Sequence, residues 1–364
     1  MAINLATKYS DKIAEKFTHE SIVQGKCSTE WDFSGVKTIV IYTPQTVPYE
    51  DYTRSGTSRY GTPTDMQDTI QELSMTQDKS FSLVIDKGNN SEQMMIKNAG
   101  KMMALQTKEQ AVPMVDKYAL SVFANKAGKI VASSNALTPT RNTATDKNSV
   151  LSAIMDAETY MTDNLVPEGN RYLYIAGKTY NILRQADEYL KLEGTGVKAI
   201  EKGVVGEIAG FKVVKVPTSY LPTGVNFIAC YKNAVLLPYK IKDAKIHQDP
   251  PGISGALLEG RSLFDAFVIG ERANGIYVHA YTGSGGASVQ ATPAVAISSH
   301  AVTITSEGAT EIKYTNDGSD PRYSPTAETY SSDAKPTTVA GQTIRAYAIK
   351  TGSLPSGIGE ATDA

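Results

Sequence analysis

The stretch that decides the fold runs VKTIVIYT (36–43), PQTVPYEDYTRSGTSRYGTPTDMQDTIQELSMTQDK (44–79), SFSLVIDK (80–87). The outer two segments, built around β-branched and other apolar residues, read as strands. The thirty-six residues between them are polar and rich in Tyr, Gly and Thr. A structureless connection beyond about 12–15 residues fits poorly inside a compact domain. Such a segment makes sense as an arm whose partners lie on a neighbouring molecule, which points to assembly rather than to catalysis. Its aromatic and charged residues, Glu50, Asp51, Tyr52, Arg54, Arg59, Tyr60, Asp65 and Asp68, are the candidate contact residues. At about 3.3 Å per residue, limbs of roughly 18 residues would reach about 60 Å.

Outward from the arm, the chain alternates helical and strand patterns. Leu5, Tyr9, Ile13 and Phe17 recur every fourth residue, the stripe of an amphipathic helix. After residue 87 a turn leads into a helix capped by Asn90 or Ser91, and residues 107–110 (TKEQ) read as the cap of a second helix. Residues 131–149 read as a polar loop, followed by a helix over 150–164. RYLYIA (171–176) is a strand, 178–191 a helix, and 203–216 two short strands around Ala209-Gly210. FIACY (227–231) has the unbroken apolar character of a strand covered on both faces. A further strand closes the unit at 275–281. TGSGGA (282–287) reads as a flexible linker. Beyond it, alternating pairs such as Val302/Ile304 and Ile344/Ala346/Ala348, separated by turn residues, predict a small β-sandwich.

Composition narrows the function. With 36 Lys+Arg against 38 Asp+Glu, the chain has no electrostatic footprint of a nucleic-acid binder. Two cysteines in 364 residues are no disulfide framework and fit a reducing compartment. No apolar run approaches the roughly 18 residues of a membrane span, and no secretory signal is visible at the start. AGKT (176–179) lacks the glycine that a phosphate loop needs, because Tyr172 occupies that place. The four histidines share no ligand spacing, and no nucleophile elbow is present. The chain is therefore not expected to be an enzyme, and no cofactor or metal is expected. Twenty Tyr against eight Phe suit contacts between folded surfaces.

The order of these segments resembles the major capsid proteins of tailed bacteriophages with the HK97-type fold. The arm resembles the extended loop of that fold, and TKEQAVPMVDKYALSVFA (107–124) is similar to its spine helix. The strands at 171–176, 203–216 and 227–231 resemble its axial domain. The resemblance implies an α+β shell subunit with an N-terminal arm (1–35), an extended β-hairpin loop (36–90) and a peripheral domain with the spine helix (91–166). An axial domain (167–240), a return through the peripheral domain (241–283) and a linker (284–290) follow. IKYTNDGSDPRYSPTAETYSS and GQTIRAYAIKTG resemble the chitobiase/β-hexosaminidase C-terminal-like domain, implying an immunoglobulin-like surface domain at 291–364.

The implied role is a virion protein that self-assembles in the bacterial cytoplasm into hexamers and pentamers of an icosahedral shell around double-stranded DNA. About 35 residues precede the first strand, too few for a scaffolding segment. The partners implied are therefore a separate scaffolding protein, a portal and other head proteins, with a glycan or cell-surface ligand for the C-terminal domain. The alternatives are an encapsulin-like compartment, or a carbohydrate-binding accessory protein using Tyr314, Tyr323 and Tyr330.

Overall fold

The computed structural model describes residues 20–31, 33, 37–47, 49, 51–57, 59–61, 63, 65–66, 68–92, 98–139, 148–186 and 204–363. The expected helix over residues 5–17 lies outside these. Thr38–Pro44 (β1) pairs antiparallel with Asp68–Ser74 (β2), with Tyr42 opposite Ile70 and Ile39 opposite Leu73. The sequence reading had treated residues 68–74 as part of the unstructured excursion and residues 80–87 as the second run. All of that run except Lys87 lies within Gln77–Asp86 (β3), which pairs away from the β1–β2 ribbon. It is one edge of a three-stranded sheet, with Gly255–Phe264 (β11) at the centre and Tyr239–Gln248 (β10) at the other edge. Gly260 faces Phe81 across that pairing, where a Cβ would stand 2.2 Å from the ring and would displace it.

Lys87–Glu92 (α1) begins directly after β3, with Asp86 Oδ1 accepting from the Asn89 amide at 2.9 Å. The cap is thus Asp86 rather than Asn90 or Ser91. Ala99–Gln106 (α2) is capped by Asn98. Thr107 does not start a new helix. Its hydroxyl donates back to the Met103 carbonyl, and a π-helical turn, Thr107–Ala111, carries the chain without a break into Val112–Asn125 (α3). Pro113 supplies the reason. Its ring would collide with the carbonyl four residues earlier in a regular α-helix, and the wider turn carries it past.

The centre of the molecule is a six-stranded mixed sheet. Its strands are Lys129–Ser133 (β4), Arg171–Ala176 (β5), Val204–Ile208 (β6), Phe211–Val216 (β7), Val225–Tyr231 (β8) and Ile276–Tyr281 (β13), in the order β4-β13-β8-β5-β7-β6. β5 is buried at all six positions. Tyr172, Tyr174 and Ala176 face one core with Ala119, Leu120 and Phe123 of α3. Leu173 and Ile175 face the other, under Val150–Asp163 (α4) and Gly177–Leu183 (α5). Period-two alternation feeding two helical layers explains why this strand carries no polar face. β4 occupies part of the stretch read as a loop; it pairs in parallel with β13 and forms the sheet's edge. Ala209 and Gly210, both at positive φ, make the tight β6–β7 turn.

The short strands Val235–Leu236 (β9) and Phe267–Val268 (β12) pair beside the arm's root. After residue 290 come Ala294–Ser298 (β14), Ala301–Thr305 (β15), Glu311–Thr315 (β16), Glu328–Thr329 (β17), Thr343–Ile349 (β18) and Gly359–Thr362 (β19). They form a β14-β15 hairpin and a β17-β16-β18-β19 sheet over a shared core of Val302, Ile304, Tyr314, Ile344 and Ala346. The segment read as a flexible linker is packed. The Ala287 amide donates to the Tyr281 carbonyl and the Gln290 amide to the Leu354 carbonyl. Ala287 and Leu354 are buried in the same core as α3. Gly224 lies so close to Ala287 that a Cβ there would overlap the Ala287 amide nitrogen. Within the segment itself, a Cβ at Gly286 would stand 2.2 Å from the Tyr281 carbonyl oxygen, so this glycine permits close approach rather than freedom.

Candidate functional site

The arm is rooted firmly and uncovered beyond its root. Ile41 and Leu73 turn one face of the β1–β2 ribbon onto Met75, Leu263, Phe267 and Ile269, with Phe33 stacked on Phe267 at 5.6 Å. Gln71 bridges the ribbon to the loop after β12. Its amide nitrogen donates to the Val268 carbonyl at 2.9 Å, and its oxygen accepts from the Gly270 amide at 2.8 Å. Asp265 pins the β2–β3 corner. Its carboxylate accepts from the amide and hydroxyl of Thr76, from the Tyr118 hydroxyl on α3 at 2.7 Å, and from the Ala266 amide. Burial and this carboxylate push the Tyr118 hydroxyl up to about 12, so it remains a donor. One acidic group therefore holds arm, helix and β11–β12 corner together. Sequence reasoning missed both Gln71 and Asp265, since neither stands in a motif.

The opposite face of the ribbon carries Val40, Tyr42, Pro44 and Ile70, all exposed. Val47, Tyr49, Tyr52, Tyr60 and Met66 continue it, with Tyr60 90% exposed. Of fifteen exposed large apolar side chains among the described residues, eight lie between positions 40 and 70. That concentration departs from the scattered exposure normal for soluble proteins. The far end is closed locally: the Thr53 amide donates to the Arg59 carbonyl at 3.1 Å, and Tyr52 and Tyr60 meet edge-on at 5.0 Å.

Asp51, Tyr52, Arg54, Arg59, Tyr60, Asp65 and Asp68 are all exposed. Glu50 lies outside the described residues. The structure brings Tyr52 and Tyr60 together but joins none of the described charges to another by an ion pair. Arg59 turns its Nε back to the Gly56 carbonyl instead. The seven-residue ladder of the ribbon accounts for about 23 Å of the arm. Among the described residues, no cluster of three His, Cys, Asp or Glu forms a metal site, and no helix is long and apolar enough to cross a membrane.

The three tyrosines considered for a glycan are engaged in packing. Tyr314 is buried with its hydroxyl on Glu328, Tyr330 packs edge-on against Tyr314, and the Tyr323 hydroxyl donates to the Lys126 carbonyl.

No protein-family model and no curated protein matches this chain. Solved structures do. The capsid structure of cyanophage P-SCSP1u matches with a TM-score of 0.61 at 15% identity, covering 77% of this chain and 94% of its own. The mature capsid of bacteriophage PhiM1 matches at 0.58 and 11% identity, covering 78% and 93%. A structure from Mycobacterium phage Che8 matches at 0.56 and 18% identity, covering 78% and 100%. The chain has the fold of phage capsid proteins. The capsid-type fold thus spans nearly all of each of these neighbours and leaves about a fifth of this chain unmatched, the size of residues 284–364.

Proposed function

We propose that this chain is the major capsid protein of a tailed bacteriophage, a non-enzymatic subunit of the HK97 type. Copies associate into hexamers and pentamers of an icosahedral shell that encloses double-stranded DNA. Assembly takes place in the host cytoplasm, with a separate scaffolding protein and a portal. The arm lies across the adjacent subunit, where Asp51, Tyr52, Arg54, Arg59, Tyr60, Asp65, Asp68 and the sequence neighbour Glu50 make the contacts. Residues 291–364 form an immunoglobulin-like domain at the shell surface. A glycan ligand for that domain would need residues other than Tyr314, Tyr323 and Tyr330, each of which already packs or hydrogen-bonds within the chain.

The observation that carries the reading is the arm: anchored at its root by Asp265 and Gln71, yet exposing an aromatic and aliphatic surface that its own chain leaves bare. Exposed charge pairs contribute only about 0–1 kcal/mol each. The cohesion of a shell therefore comes from apolar burial repeated at every contact. Electron microscopy of the purified full-length protein, with and without residues 50–64, tests this. Closed shells from the full chain and soluble, folded subunits from the deletion are expected. Normal shells from the deleted chain would remove the arm from assembly, and a persistently monomeric full chain would overturn the capsid reading. Shells from phage-infected cells should hold nuclease-protected DNA, where an encapsulin-like compartment would hold an enzyme.

A further inference from the structure

The loop that holds the arm is itself held from the other side by the C-terminal domain. Arg322 sits between the two units with its side chain only 9% exposed. Two of its nitrogens face the Asp320 carboxylate, Nη2 at 2.7 Å and Nε at 3.0 Å from the nearer oxygens. Its Nη1 donates to the Ala127 carbonyl at 2.5 Å. The next residue, Tyr323, donates its hydroxyl to the Lys126 carbonyl. Lys126 and Ala127 are the first residues past α3, where a helix leaves carbonyls without intrahelical partners. Charge-assisted donors are the strong way to satisfy them.

Tyr323 also packs directly against Gly270. A Cβ at that glycine would stand 2.8 Å from Tyr323 Cβ, closer than atoms pack, although the glycine itself has an ordinary φ. Gly270 is the residue whose amide donates to Gln71 of β2. The neighbouring Gly128 amide donates to the Ala273 carbonyl, tying the end of α3 to the same loop. An unbroken run of contacts therefore leads from the C-terminal domain, through Tyr323, Gly270 and Gln71, to the root of the arm.

We infer that Arg322 and Tyr323 are positioning residues for the arm, and that the C-terminal domain acts as a built-in clamp setting the direction in which the arm leaves the subunit. The clamp works by fixing the loop at 268–274 against α3, so that Gln71 meets a preset pair of backbone groups. The domain then has a mechanical role that needs no external ligand. The role of the arm in assembly rests on the capsid reading; the coupling between domain and arm does not.

Hydrogen exchange on unassembled full-length subunits tests the coupling. Arg322→Ala removes the donor to the Ala127 carbonyl, and Gly270→Ala crowds Tyr323. In each, amides at 69–76 and 268–274 should exchange about tenfold faster, the expected effect of losing about 1.4 kcal/mol from a charge-assisted contact. Amides of Arg171–Ala176 should be unchanged. Glu328→Ala, which frees the Tyr314 hydroxyl inside the C-terminal domain, is the control and should leave the arm root alone. Should Arg322→Ala fail to fold, Tyr323→Phe removes a single hydrogen bond and keeps the question open to a result. Unchanged exchange at the arm root in both interface variants overturns the clamp, as does an equal effect from Glu328→Ala. Micrographs of the unaltered chain answer the capsid question separately: no shells there, with coupled exchange intact, would sink the assembly role and leave the clamp.

Discussion

His279 shows how one buried side chain ties stability to acidity. It lies in β13, stacked on Phe227 at 5.3 Å, with its Nδ1 facing the Asn226 side-chain amide at 3.1 Å. Burial holds the ring down at about 4, against the 6.5 of a free histidine, with Asp156 pulling weakly the other way. The unfolded chain therefore takes up the proton first. This contribution to stability is complete above pH 6.5 and falls away as the pH drops from 6.5 towards 4, by about 1.4 kcal/mol per unit at most. Denaturant unfolding of unassembled subunits at pH 7 and pH 5 should show the loss, and His279→Gln should flatten it. Equal losses in both proteins would mean that other groups carry the acid sensitivity. Nothing in the local sequence IYVHAY marks the histidine as buried; the sheet on one side and α4 on the other decide it.

At the level of elements, the arm's ribbon has two faces with different fates. Ile39, Ile41 and Leu73 are committed to the subunit, while Val40, Tyr42 and Ile70 are not. Tyr42→Ser with Ile70→Ser should thus leave the thermal midpoint of the isolated subunit within about 2 °C of the original, since both side chains lie on the ribbon's exposed face rather than in its core. The same double variant should depress shell yield sharply in a sedimentation assay. A large drop in midpoint, or an unchanged yield, would show that this face is not a contact between copies. β1 was legible because TIVIYT is β-branched or aromatic at every position. β2, DTIQELS, was not, because the adjacent Gln71 and Glu72 put a polar residue on each face, and Gln71 is there to bond a distant loop. β10, with three lysines, likewise hid its strand character behind the charges that guard an exposed edge.

For the whole molecule, the C-terminal domain changes meaning once it is seen docked. A tethered appendage could be removed at no cost to the rest. Here removal of residues 284–364 strips Leu354 and Ala287 from the main core and leaves the Lys126 and Ala127 carbonyls without their partners. Leucine burial at about 2 kcal/mol and two hydrogen bonds at about 1 kcal/mol each put the loss near 4 kcal/mol. The truncated chain should unfold at a clearly lower temperature in calorimetry; a shared midpoint for both chains would argue for an independent tether. The sequence by itself determined the strands RYLYIA and FIACY, the latter with both faces buried, the long arm with its tyrosines, and the β-rich character of the last 75 residues. These follow from local periodicity and composition, which need no partner to be read. Only the tertiary structure decided which strand closes the arm, that Asp265 anchors it, and that a glycine-rich segment is a seam rather than a hinge. Each of those depends on residues from 24 to 195 positions apart meeting in space, and no local periodicity holds both sides of such a contact.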